Sequence, residues 1–210
     1  GDEKFRASVE KAADWLVEVQ DNNGEWNKST YLGNVHTYNT RVAWSLLGAY
    51  DLLKKKSYRD KAIANIKWGL EQQQENGWFE KNAFNEGQEP LVHTIAYCIR
   101  GILECGIYLS NKEFILAAKK SADVMLERLR DDGSLAGSFD SNWKSSVKWS
   151  CLTGNSQMAI IWLRLYNVYK DEKYLIAARK VNKFMKSVQN LEARNGGVRG
   201  GIKGADPIWG

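Results

Sequence analysis

A stretch of six residues, HTYNTR from His36 to Arg41, carries side chains that could together act on an acidic sugar. Removing the proton next to a uronate carboxylate needs a group that neutralises the carboxylate and a base that takes the proton. Asn39 and Arg41 suit the first task, while His36 and Tyr38 suit the second. The stretch is a candidate catalytic segment, and the same side chains would also serve a site that only binds a ligand.

The other histidine, His93, precedes a similar apolar stretch in PLVHTIAY. From His36 to Ser57 there are 21 residues, and from His93 to Asn111 there are 18, where Ser57 and Asn111 belong to short polar turns. These similar spacings predict that the two histidines open neighbouring helices and approach the same cavity. His93 therefore joins the catalytic candidates, and capping or packing is the alternative role for both histidines.

Residue types that contact sugars accompany these segments. Aromatic faces pack against the C–H surface of a pyranose ring, and amide, hydroxyl and carboxylate groups bond its hydroxyls. The candidates for substrate binding are Trp26, Trp78, Phe79, Tyr97, Asp140, Trp143, Trp149, Thr153, Asn155 and Gln157. Helix capping by the polar residues and packing of the rings on the protein itself are the alternatives. Hydrolysis would need two facing carboxylates, for which the candidates are Glu86, Glu89, Asp131, Asp132, Asp140 and Asp206.

The elements that must position these residues are helices of two alternating kinds. Strongly apolar stretches such as TRVAWSLLGAYDLL alternate with stretches charged on one side, such as RDKAIANIKWGLEQQ. A helix that is apolar on most sides must be surrounded, whereas a polar stripe can face water. The pattern predicts an all-α array of hairpins, curved into an arc or toroid, with inner and outer layers. Seven helices are predicted over 5–20, 38–55, 58–74, 91–109, 112–130, 153–169 and 172–190.

Long segments lead from each outer helix to the next inner helix, which puts the long loops on one rim. Such loops usually carry function, so we expect the site at this rim. Three inner helices would begin there, and their free N–H groups would favour an anionic ligand.

A degenerate repeat of 53, 56 and 60 residues underlies the pattern, with anchors at Trp15, Trp68, Val124 and Phe184. The stretch KAADWLVEVQDNNGEW closely resembles the QW repeat of the terpenoid cyclase and prenyltransferase superfamily, and KWGLEQQQENGW matches it in part. The resemblance implies an α/α-toroid fold, which that superfamily shares with polysaccharide lyases, glycoside hydrolases and uronyl epimerases. The chain has no DxDD motif of squalene-type cyclases, and the zinc ligands of prenyltransferases are not evident.

Within the repeat, a glutamine and a glycine follow each of the first two outer helices. Gln20 and Gln73 are predicted to lie in the last helical turn, and Gly24 and Gly77 to adopt a left-handed turn. The next aromatic residue is predicted to cap the helix end. The motif is thus expected to build the fold.

Composition limits the classes of partner. The 210 residues, with 43% hydrophobic residues and two prolines, predict one soluble domain over 1–210, either an open arc or part of a longer toroid. The formal charge of +5 is dispersed, which argues against nucleic acid but fits an anionic small molecule or polysaccharide. No stretch is long enough to span a membrane. The oligomeric state is left open.

The three cysteines, Cys98, Cys105 and Cys151, lack metal-ligand spacing and are predicted to be buried, reduced thiols. Neither a metal nor another cofactor is predicted. Free thiols and the charged N-terminal stretch, which does not read as a signal peptide, favour the cytoplasm over secretion.

Three functions fit these features. The leading one is a carbohydrate-active protein that binds and processes an acidic oligo- or polysaccharide, as a lyase, hydrolase or epimerase. The alternatives are an isoprenoid-binding or cyclising protein and a non-catalytic helical-repeat scaffold. A purely apolar central cavity would favour isoprenoids, and an open groove without a pocket would favour the scaffold.

Overall fold

A computed structural model describes residues 3–207 and contains seven α-helices in two alternating layers. They are α1 (Glu3–Glu18), α2 (Thr40–Leu53), α3 (Lys56–Glu71), α4 (Val92–Leu109), α5 (Lys112–Glu127), α6 (Leu152–Tyr169) and α7 (Glu172–Ser187). Short 3-10 turns span Tyr31–Gly33 and Thr37–Asn39, and β1 (Ser150–Cys151) pairs antiparallel with β2 (Ala205–Asp206). The predicted all-α class and helix number are confirmed, and each boundary lies within about one helical turn of its expected place.

The inner layer consists of α2, α4 and α6, which pack side by side in that order. Each inner helix also packs against the outer helix that follows it, α3, α5 or α7, and α1 lies against α2 and α3. The middle inner helix, α4, is buried along most of its length. This explains why its sequence is apolar on most sides, as a surrounded helix must be.

Each inner helix ends at a residue in the left-handed region: Lys54, Ser110 and Lys170 have φ of 58°, 53° and 57°. The outer helix then begins within a few residues. Asn111 caps α5 by accepting a hydrogen bond from the Phe114 N–H at 3.2 Å, and Asp171 caps α7. The short inner-to-outer connections are therefore tight turns, which leaves the long loops at the opposite rim.

The repeated glutamines bind the following outer helix. Gln20 donates from Nε2 to the carbonyls of Gly24 (3.1 Å) and Lys61 (3.0 Å). Gln73 donates to the carbonyl of Ala117 (2.9 Å). Both lie beyond the helix end, because α1 ends at Glu18 and α3 at Glu71, so their predicted place in the last turn is wrong. We call each such connection a repeat clamp: the Gln20 clamp joins the end of α1 to α3, and the Gln73 clamp joins the end of α3 to α5.

The turn beside each clamp requires a glycine, because of its backbone conformation and, at Gly24, because of the space available. Gly24 and Gly77 have φ of 93° and 85°, the left-handed turn that was predicted. A Cβ on Gly24 would also lie 2.5 Å from the Ala64 carbonyl oxygen on α3, so there is no space for a side chain. Next to it, Trp26 donates from Nε1 to the Leu16 carbonyl at 2.9 Å and caps α1, as expected.

Neighbouring inner helices approach each other closely at two glycines, Gly101 and Gly154. A Cβ on Gly101 of α4 would lie 2.4 Å from the carbonyl carbon of Thr40, at the start of α2. A Cβ on Gly154 of α6 would lie 2.7 Å from the backbone nitrogen of His93, at the start of α4. These contacts fix the starts of α2 and α4 against the next inner helix.

The three cysteines are free and buried, as predicted. Burial raises the pKa of the Cys98 thiol to about 12 and lifts that of Cys105 far above its ordinary range. Such thiols are inert packing groups. None of the helices within 3–207 is both long enough and apolar enough to cross a membrane.

Candidate functional site

The side of the inner helices that is covered neither by the outer layer nor by a neighbouring inner helix carries polar and aromatic side chains. The seven residues that define this surface are partly buried, and the core residues of α2, α4 and α6 lie on other sides of the same helices. We call this surface the inner face and define it by Arg41, Trp44, His93, Tyr97, Arg100, Gln157 and Arg164.

Arg41, His93 and Tyr97 form one cluster on the inner face. The guanidinium carbon of Arg41 lies 3.9 Å from the centroid of the Tyr97 ring. The His93 ring packs edge-to-face against the same ring, with the centroids 4.3 Å apart. Tyr97 thus holds a permanent cation and an imidazole together, within reach of one ligand.

The His93 ring is electrostatically suited to act as a base. Its Nε2 is buried and has no hydrogen-bond partner. Burial lowers the pKa of His93 below its ordinary value, and the charge of Arg41 lowers it further. The imidazole therefore stays neutral over a wider pH range than an exposed histidine, and no partner occupies Nε2.

The remaining inner-face residues extend this cluster along α4 and α6. Arg100 donates from Nη1 to the Gln157 amide oxygen at 2.8 Å, and its guanidinium carbon lies 5.1 Å from the Trp44 ring centroid. Its Nε is buried and unpartnered, because the 3.9 Å to Glu104 is too long for a hydrogen bond. Burial lowers the pKa of Arg100, which nevertheless remains a cation.

Glu104 is the carboxylate that faces these arginines. Arg164 donates to both of its oxygens, from Nε at 3.0 Å and from Nη2 at 2.8 Å. One carboxylate thus balances three guanidinium groups, those of Arg41, Arg100 and Arg164. The inner face is net positive and suits an anionic ligand.

A second region is a cavity of about 670 Å³ where the long loops meet. It is lined by residues 33–36, 78–83, 85–90 and 140–141, and we call it the rim cavity. The loops around it bond one another: the Thr37 N–H donates to the Lys81 carbonyl at 3.0 Å, and the Phe139 N–H donates to the Pro90 carbonyl at 3.4 Å. Trp78 and Phe79, two predicted substrate-binding residues, form part of its wall, as does Asp140.

The predicted catalytic segment is divided among three places. His36 lines the rim cavity and is 2% exposed. Its ring stacks on Tyr38 with the centroids 4.4 Å apart, and its Nε2 lies 3.1 Å from the Tyr31 carbonyl oxygen. Tyr38 and Asn39 instead line a smaller, mostly apolar cavity of about 280 Å³. Only Arg41 reaches the inner face. The segment passes through a 3-10 turn before α2 begins, so its side chains point in different directions.

The prediction that both histidines reach the rim cavity is therefore wrong, because only His36 lines it. His93 belongs to the inner face and is not among the residues that line the rim cavity. Burial also raises the pKa of Tyr38 to about 12, so at neutral pH its hydroxyl is protonated and is not a base.

Several predicted binding residues have structural partners instead. Asn155 is fully buried, accepts from the Leu135 N–H at 2.9 Å and donates to the Cys151 carbonyl at 2.8 Å, so its assignment to ligand contact is wrong. Trp143 packs edge-to-face on Trp78 and donates to the Asn76 carbonyl at 3.1 Å. The remaining candidates have mixed surroundings: Trp149 packs over Gly137, Trp26 lines the smaller cavity, Gln157 bonds Arg100, and Thr153 is exposed.

The expected source of positive charge also differs. One N–H group at the start of each of α4 and α6 is engaged, because the Val92 N–H donates to the Gly137 carbonyl and the Leu152 N–H donates to the Gly204 carbonyl, both at 3.0 Å. The positive charge comes from arginine side chains, of which Arg100 and Arg164 were missed. For Arg100 the signal is in the sequence, since His93, Tyr97, Arg100 and Glu104 recur every three or four residues in an apolar helix.

Residues 3–207 contain no group of three or more histidine, cysteine, aspartate or glutamate side chains placed to hold a metal ion.

No family profile matches the chain, and no curated protein sequence matches it. Solved structures do share its fold. The unsaturated glucuronyl hydrolase of Bacillus sp. GL1, responsible for the degradation of glycosaminoglycan, superimposes with a TM-score of 0.75 at 18% identity, covering 96% of this chain and 60% of the hydrolase. The α-1,6-mannanase of Salegentibacter sp. HEL1_6 gives a TM-score of 0.65 at 16% identity over 88% of this chain and 52% of the mannanase.

A polysaccharide lyase gives a TM-score of 0.67 at 12% identity, covering 96% of this chain and 62% of the lyase. At these identities the likeness shows the fold alone, which confirms the predicted α/α-toroid architecture. The chain spans about three fifths of the length of the hydrolase and the lyase. A link to terpenoid cyclases is not shown, so the QW-like repeats are best understood through the repeat clamps.

Proposed function

We propose that the inner face binds an acidic oligo- or polysaccharide and that the chain belongs to an enzyme that processes it. The observation that carries this proposal is the cluster in which Arg41 and a neutral His93 flank the ring of Tyr97. The likeness in fold to a glucuronyl hydrolase and a polysaccharide lyase supports a carbohydrate as the ligand. The polar inner face argues against an isoprenoid, which would need an apolar cavity.

The cluster suits proton abstraction from a uronate. Arg41 would bind the carboxylate, which makes the proton on the adjacent carbon, C5, more acidic. His93 would take that proton at Nε2. The electron pair then forms a double bond between C5 and C4, the glycosidic oxygen leaves C4, and that oxygen acquires a proton from water. Return of the proton to the opposite face of C5 would instead give epimerisation.

Neighbouring groups would hold the rest of the chain. Arg100 and Gln157 offer donors for a second acidic residue, and Trp44 offers an apolar ring face. Hydrolysis is a weaker proposal for the inner face, because it requires two facing carboxylates and Glu104 is already bound by Arg164.

The direct test compares acidic oligosaccharides with the same compounds after reduction of their carboxylates. We expect only the acidic compounds to bind and to yield the ultraviolet absorbance of an unsaturated uronyl product. Arg41→Gln should weaken binding by about tenfold or more, as expected for a lost charge-assisted hydrogen bond. Arg179→Gln, which removes the same charge from the exposed side of α7, is the matched control.

Two outcomes would overturn parts of this proposal. Equal binding of acidic and reduced oligosaccharides would remove the assignment of an acidic ligand. New reducing ends without ultraviolet absorbance would show hydrolysis and exclude elimination by His93.

The pH dependence of turnover should follow the lowered pKa of His93. A base must be neutral, so kcat/KM should fall as pH decreases through this pKa, at a pH below the ordinary histidine value of about 6.5.

Arg41→Gln removes a nearby positive charge and should raise the pKa of His93, which NMR titration of its ring protons would measure. An unchanged or lower pKa in this variant would contradict the electrostatic coupling of the two residues.

The same shift affects folding in a defined direction. Because the folded state disfavours protonated His93, the unfolded state binds more protons as pH falls below about 6.5, and stability decreases there.

A further inference from the structure

The rim cavity has the opposite chemistry to the inner face. Four carboxylate side chains, those of Glu80, Glu86, Glu89 and Asp140, belong to residues that line it. The lining contains one lysine, Lys81, whose ammonium lies 5.5 Å from the centroid of the Trp68 ring, outside the lining. The cavity is therefore rich in acceptors and net negative, and it would repel the anion proposed for the inner face.

The wall of the cavity contains a buried acceptor without a donor. Asn82 lines the cavity, is 4% exposed, and has a buried Oδ1 with no hydrogen-bond partner. A buried polar atom of this kind is costly and uncommon in folded proteins. A donor group on a bound molecule would satisfy it.

The carboxylates keep acceptor capacity for such a molecule. Glu89 accepts from the Ser138 hydroxyl at 2.7 Å, and Asp140 accepts from the N–H groups of Asn142 and Lys144 through one oxygen, Oδ1. Glu86 is exposed, and no hydrogen bond or ion pair engages it within 3–207. Each carboxylate can accept about four hydrogen bonds, so these contacts do not saturate them.

We propose that the rim cavity is a binding site for a primary ammonium group, carried by an amino sugar. An ammonium offers three donors and a positive charge, which match the Asn82 oxygen and the surrounding carboxylates. Trp78 and Phe79, which are 4% and 3% exposed, line the same cavity and make part of its wall apolar. The site goes beyond the function proposed for the inner face and does not depend on it.

The test uses a trimer of glucosamine, its fully N-acetylated form, and spermidine, with calorimetry and tryptophan fluorescence as readouts. The glucosamine trimer should bind, and N-acetylation should weaken binding by about tenfold or more because it removes the charge and two donors. Binding should also weaken with added salt. Spermidine separates the two sources of an ammonium: weaker binding than the trimer supports an amino sugar, whereas equal binding would overturn the need for a sugar ring.

Variants locate the site. Asn82→Leu removes the unpartnered oxygen, so it should keep the melting temperature while lowering affinity for the trimer by about tenfold. Glu86→Gln should weaken binding, and Glu127→Gln, the same charge change at the exposed end of α5, should not. The inference is overturned if the N-acetylated trimer binds equally well, or if Asn82→Leu binds like wild type. Arg41→Gln should leave trimer binding unchanged, which distinguishes this site from the inner face.

Discussion

His93→Ala is expected to lower kcat for an acidic oligosaccharide by roughly two to four orders of magnitude, the usual contribution of a general base. Its imidazole is neutral because burial and Arg41 lower its pKa, and its Nε2 has no partner. Removing the ring deletes the proposed base without leaving another group unpaired. The melting temperature should therefore change little, and kinetics together with thermal unfolding would measure both effects.

His36 provides a contrasting variant. Its ring is buried, stacked on Tyr38 and bonded to the Tyr31 carbonyl, so His36→Ala should lower stability while the inner face stays intact. If His93→Ala instead loses stability and keeps turnover, His93 is a packing residue and the proposed mechanism fails.

Trp162→Ala should destabilise the fold by about 3–5 kcal/mol, as large-to-small core substitutions do. Trp162 is fully buried in α6, and its Nε1 donates to the Ala122 carbonyl of α5 at 3.0 Å. The substitution leaves a cavity between two layers and an unpaired carbonyl. Urea unfolding would measure the loss.

A neighbouring residue serves as the control. Leu163 follows Trp162 on the same helix but is 41% exposed, so Leu163→Ala should cost well under half as much. A loss below about 1 kcal/mol for Trp162→Ala would contradict the close packing around its fully buried ring.

The helices and their layers could be predicted because the apolar pattern along each helix records how many of its sides are covered. α4 is the clearest case: its sequence is apolar on most sides, and other helices flank and back it. The left-handed conformation of Gly24 could also be predicted, since a glycine recurs at the same place after an outer helix in the repeat.

The site was only partly predictable, because it depends on the direction of each side chain where the chain turns. The six residues from His36 to Arg41 are adjacent in sequence, yet a 3-10 turn distributes four of them among two cavities and the inner face, and the other two, Thr37 and Thr40, are fully buried. The place of Arg100 in the site was not predictable for another reason. Its partner, Gln157, lies 57 residues away on a different helix, and no local pattern joins them.

The repeat clamps have a consequence for how the molecule loses structure. The Gln20 and Gln73 clamps join each outer helix end to the next outer helix along the chain, α1 to α3 and α3 to α5. Because this coupling joins nearest neighbours, we expect unfolding to spread along the array from one hairpin to the next. Loss of one clamp would therefore weaken the coupling between the outer helices on either side of it, while α2, α4 and α6, which pack side by side, would still hold the inner face together.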